Sequence, residues 1–136
     1  MYTKTQEIIL QTETRKTVFR KLIDWQGNDF ESSSSRTPEF MAFARMFRSH
    51  INAQAKDNYL VVANFSIGHF YCSGFFKNVH TGKFAYFSIS DVRHFNDSWI
   101  SNILIRTANN EKDYTGGRNQ STTILNIGRD ASKITQ

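Results

Sequence analysis

The stretch TPEFMAFARMFRSHINAQAKDNYLVVANF, residues 37–65, decides the fold, because its hydrophobic period changes once within it. At its start Thr37 can cap a helix, Pro38 suits the first helical position, and Glu39 complements the helix dipole. Phe40, Phe43, Ala44, Phe47 and Ile51 follow at spacings of three and four, which place them on one helical face. Arg45, Arg48 and Lys56 fall away from that face. The spacing predicts a helix from Pro38 to Ala55 whose aromatic stripe is core. From Tyr59 to Phe65 the chain turns aromatic and β-branched, and the reading changes to a strand.

Downstream, short apolar runs alternate with turn signals. His69 to Lys77 reads as a second strand, Asn78 to Gly82 as a turn, and Lys83 to Ser90 as a third strand. Asn102 to Thr107, built on Ile103, Leu104 and Ile105, is a fourth. Short connections favour an antiparallel meander. Asn109 to Gln120 is polar and holds Gly116-Gly117, so it reads as a loop; Ile124, Ile127, Ala131 and Ile134 then predict a C-terminal helix, which Gly128 weakens. The order implies an α+β fold, with an antiparallel sheet of four to five strands packed against one or two helices. On the third strand Phe84 and Tyr86 point one way, and Ala85, Phe87 and Ile89 the other. Either helices cover both faces, or an aromatic face is left for a partner.

Upstream the reading is weaker. Residues 1–25 form an element that fits either helix or strand, and 26–37 hold Gly27, Asn28 and four consecutive serines, which predicts a mobile loop. At 136 residues the whole chain, 1–136, is expected to be one domain, with 38–136 as its α+β core.

Composition narrows the function classes. The net charge is +5, with 17 Lys and Arg against 12 Asp and Glu, split as +2 over residues 1–68 and +3 over 69–136. That sign excludes an acidic mimic of DNA and suits a polyanion or an acidic partner. The densest basic patch is Arg15, Lys16, Arg20 and Lys21, to which Arg45 and Arg48 add on the predicted helix. No apolar run is long enough for a membrane span, no apolar leader is evident, and the single Cys72 supports no intrachain disulfide, so a cytoplasmic protein is expected.

Motifs for chemistry are scarce. His50, His69, His80 and His94 form no metal-ligand spacing, and no nucleophile elbow or P-loop string occurs, so no catalytic residue, metal or cofactor is assigned. Cys72, among Phe70, Tyr71 and Phe75, reads as a buried small apolar residue. The most specific polar constellation is Asp91, Arg93, Arg106, Asp113, Tyr114, Gly116, Gly117, Arg118 and Asn119. Arg106 interrupts an apolar strand and needs a partner if buried, which Asp91 or Asp113 would supply as a carboxylate. Used functionally, the Gly pair and Arg118 would form an anion site, completed by a helix N-terminus capped by Ser121 or Thr122. The string Gly82-Lys83-Phe84-Ala85-Tyr86-Phe87 only loosely matches the base-stacking strand of an RNA-recognition motif, since its Gly and Lys are reversed, and the match is read as coincidence.

A longer series of strings is more distinctive: Gly68-His69-Phe70-Tyr71, Ser73-Gly74-Phe75, Tyr86 to Arg93, Ile103 to Ala108, and Lys112 to Gly117 with Asn119. Over about residues 40–120 this resembles small uncharacterised proteins carried by phages and plasmids. The resemblance implies a mobile-element setting, in which small accessory proteins often inhibit host defences. The expected function is therefore non-enzymatic: binding and inhibition of a host protein or ribonucleoprotein complex, most plausibly as an anti-CRISPR protein acting on a Cas effector. The alternatives are direct RNA or DNA binding through the basic patch, or a small phosphate- or nucleotide-acting enzyme built on the polar constellation.

Overall fold

Twenty residues from Pro38 to Asp57 form α1, the helix that the Phe43–Phe47–Ile51 stripe implies, and a five-stranded sheet follows it in the computed structural model. The structure describes residues 38–68, 71–89 and 103–136, with side chains from Met41 onward. The predicted N-terminal element, the serine loop and the carboxylate of Asp91 lie outside the described residues. The strands are β1 (Leu60–Ile67), β2 (Cys72–Asn78), β3 (Phe84–Ile89), β4 (Ile103–Ala108) and β5 (Gln120–Thr122), and a second helix, α2, spans Ile127–Ile134. Neighbours in sequence are neighbours in the sheet, and every pairing is antiparallel, as short connections require.

Both helices pack on one face, here called inner. Phe43, Ala44, Phe47, Ile51 and Ala55 of α1 meet Leu60, Cys72, Phe76, Ala85, Phe87, Ile89, Ile103 and Ile105 of the sheet. The Phe47 ring lies 6.3 Å from Phe65 and 6.5 Å from Phe87, and Phe87 lies 4.7 Å from Phe76. Each such ring removes a large apolar area from water, which makes this layer the main source of stability. Cys72 is fully buried here, and burial pushes its thiol up to about 12, so it stays a neutral, unreactive apolar group.

The second helix docks on α1 through its glycine. A Cβ on Gly128 would lie 2.7 Å from the Gln54 carbonyl oxygen, and the Gly128 N–H donates to Gln54 Oε1 at 3.1 Å. The residue that weakens the helix in isolation is therefore the one that lets the two helices meet. His50 Nε2 donates to the Ile124 carbonyl at 2.6 Å, which ties α1 to the segment before α2. The C-terminal end is held in turn by the β2–β3 turn: Asn78 Nδ2 donates to Thr135 Oγ1 at 3.1 Å, and Thr81 Oγ1 donates to the Thr135 carbonyl at 2.6 Å.

Several boundaries differ from the sequence expectation. The first helix continues through Asp57, and Tyr59 is not in a strand but in the left-handed region, φ 57°, just past the helix end. In β1 the register shifts between Ala63 and Ser66 at Asn64, φ 50°, and this bulge turns Phe65 onto the inner face. Gln120–Thr122 pair with β4 instead of ending a loop, and Ile124 precedes α2 instead of lying in it.

Candidate functional site

The register sorts the outer face of the sheet into rows. Ala63, Phe75, Tyr86 and Arg106 lie side by side across β1 to β4 in the middle row. Val61, Lys77, Phe84 and Ala108 form the row toward one end, and Ser66, Ser73, Ser88 and Leu104 the row toward the other. No helix of the described residues covers this face. Over its middle row lies the polar β4–β5 loop, residues 109–119, which returns so that the Tyr114 ring meets Phe75 edge-on at 5.3 Å and Tyr86 at 5.8 Å. Phe75 and Tyr86 are themselves 5.2 Å apart, which completes a cluster of three rings.

Arg106 holds the loop there. Its guanidinium lies over the ring of its cross-strand neighbour Tyr86, 4.3 Å from the centroid. Nη2 donates to the Tyr114 carbonyl, and Nη1 stands 3.5 Å from Asn119 Oδ1. Nε is buried and finds no acceptor among the described residues. The expected pairing of Arg106 with Asp113 is thus corrected. A carbonyl and an aromatic ring receive the guanidinium, because Asp113 is turned into its own loop. Its Oδ2 accepts the Asn109 N–H at 2.8 Å, and its Oδ1 accepts the Thr115 N–H at 3.1 Å. The Asn109 amide, then that of Thr115, hold the Asp113 carboxyl below its ordinary range.

The glycine pair has a local role as well. Gly117, φ 54°, lies so close to β4 that a Cβ there would stand 2.8 Å from the Thr107 backbone nitrogen. A left-handed residue without a side chain is what lets the loop leave and rejoin the sheet. The helix N-terminus expected to complete an anion site is not here. Ser121 and Thr122 belong to β5, and α2 starts only at Ile127, where Asn126 makes no side-chain cap.

The structure therefore brings Arg106, Asp113, Tyr114, Gly116, Gly117 and Asn119 into one loop arrangement, while Arg118 is exposed on it. Arg93 and the patch Arg15, Lys16, Arg20 and Lys21 lie outside the described residues. Arg45 and Arg48 are exposed on α1, with Arg48 5.3 Å from the Phe65 ring centroid. Among the described residues no group of three or more His, Cys, Asp or Glu could hold a metal ion, and no helix is long and apolar enough to cross a membrane.

Sequence reasoning missed a second feature, at the end of the outer face beyond the loop. Tyr59, Val61 and Val79 are 66%, 54% and 59% exposed, and the rings of Tyr59 and His80 lie 5.1 Å apart. The Val79 N–H donates to the Tyr59 carbonyl at 3.0 Å, which sets the two exposed residues opposite one another. No periodicity marks such a patch; the signal is a large residue at a helix-end position that glycine would occupy more easily. No family model, curated protein or solved structure matches this chain.

Proposed function

We propose that this protein acts by binding a partner rather than by chemistry of its own, and that in a mobile-element setting the partner is a host-defence nucleoprotein complex such as a Cas effector. The observation that carries the binding reading is the engagement of Arg106 and Asp113. An active site on the polar constellation would need these two groups, and both are bonded to the loop that covers the sheet. The net charge of +5 supports a partner that presents phosphates or carboxylates. The identity of that partner as a defence complex rests on the resemblance to phage and plasmid proteins.

The test is a target-cleavage assay with purified Cas effector ribonucleoproteins of several types, each preincubated with this protein. Dose-dependent loss of cleavage by at least one is expected. Full cleavage by all of them at saturating protein would remove the defence-inhibitor reading. A second reading, direct binding of RNA or DNA by the chain itself, is favoured by the exposed Tyr59 and Lys77 at one end of the outer face.

A further inference from the structure

We infer that the open end of the outer sheet face is a contact for single-stranded nucleic acid, with Tyr59 as a stacking ring and Lys77 as a phosphate contact. The inference rests on the direct-binding reading. Tyr59 holds a left-handed backbone, which a residue bearing a side chain adopts only under strain. The residue is 66% exposed, so burial in the described fold offsets little of that strain. Strain held at an exposed aromatic is a mark of a site that uses the residue.

The surroundings fit an anionic strand. Lys77 is exposed on the outer face, and its ammonium lies 5.7 Å from the Phe84 ring centroid. Lys56 is exposed in the last turn of α1, three residues before Tyr59, whereas the Lys83 ammonium donates to the Gln136 carbonyl at 2.9 Å and is turned to the C-terminal end. Tyr59 lies against Val79 and Phe84 against Lys77, so the two stand on opposite sides of β2, two strands apart and offset by two residues along it, about 12 Å in all. An exposed ring with an ammonium group on the same face gives a base a π-face and a phosphate a cation, the pairing that binds single strands without reading sequence. A second copy of this chain is a poor occupant, because it would bring the same lysines against their own kind. An acidic protein would satisfy the lysines but has less use for open ring faces.

The test measures binding of fluorescein-labelled oligo(dT) and oligo(U) 20-mers by anisotropy across a salt series. Tyr59→Gly should weaken binding about tenfold while its melting temperature holds or rises, since glycine suits that backbone. Tyr59→Phe, which keeps the π-face, should bind like the parent. Lys77→Ala should lower the slope of log affinity against log salt by about 0.7, the loss of one phosphate contact. Lys133→Ala, on α2 behind the opposite face, serves as the charge control and should leave binding unchanged. Parent-like binding by both Tyr59→Gly and Lys77→Ala would overturn the site and leave the direct-binding reading standing. No binding by the parent at low salt would overturn both. Competition by poly-glutamate equal, charge for charge, to that of the oligonucleotide would also overturn the inference, in favour of an acidic protein.

Discussion

The two faces of the sheet are covered by opposite means. On the inner face, apolar side chains of two helices meet apolar side chains of the strands, and the contact is non-directional. On the outer face, a polar loop lies over three rings, held by one guanidinium that donates to a carbonyl and rests on a ring. The first kind of cover tolerates any side chain of suitable volume. The second depends on the geometry of a few groups; among the described residues the loop lies over the middle row, and Tyr59 and Lys77 stay exposed. Among the described residues, an arginine that anchors a loop stands on the outer face where a second helical layer would otherwise be expected.

The comparison breaks most sharply on the inner face. Phe47 is fully buried and touches rings from two strands, so Phe47→Ala should cost about 3–5 kcal/mol in a denaturant melt. A loss under about 1 kcal/mol would mean that the helix layer is not what holds the sheet.

On the outer face the effect should be smaller. Arg106→Ala removes a charged donor from the Tyr114 carbonyl and a cation from the Tyr86 ring, but strands no carboxylate among the described residues. The expected cost is about 2–3 kcal/mol, below the value for breaking a buried ion pair. Arg106→Lys should recover only part of it, because an ammonium lacks the planar fork that reaches ring and loop together. A cost as large as that of Phe47→Ala would point to a carboxylate partner after all. Aromatic near-ultraviolet circular dichroism should fall in both variants, since the ring cluster loosens when the loop does.

The same contrast explains what was legible in the sequence. The first helix and the two faces of β3 follow from the spacing of Phe43, Phe47 and Ile51 and the alternation from Phe84 to Ile89, because non-directional burial writes itself as periodicity. The bulge at Asn64 is invisible to that rule, since it reverses the alternation midway along β1. Strand β5 has only three residues, two of them exposed, and exists because β4 pairs with it. At the candidate site, Arg106 could be recognised as needing a partner, but a search among charges looks for a carboxylate, and carbonyls and ring faces carry no signature in a residue string. Tyr59 was hidden for a related reason: an aromatic next to Leu60 and Val61 reads as strand, and only the backbone shows it to be a helix terminus.

The smallest effect concerns how the loop keeps its shape, and pH reads it. The Asp113 carboxyl accepts the Asn109 and Thr115 amides in the folded chain, which lowers its pKa below the ordinary value of about 4. A carboxyl whose folded pKa is depressed contributes stability that is fully present above the unfolded value. That contribution is lost as pH falls through the lower folded value, because the unfolded chain takes up the proton first. At neutral pH, Asp113→Asn should therefore be less stable than the parent, since the amide loses the charge and leaves one oxygen acceptor where there were two. Below the folded pKa the parent carboxyl is protonated as well, and the two proteins should converge. Urea melts of both along a descending series of pH values from 7 measure the difference directly. If the gap instead stays constant with pH, the carboxylate charge is not what shapes the loop, and the Arg106 anchor and the Tyr114 ring hold the outer cover by themselves.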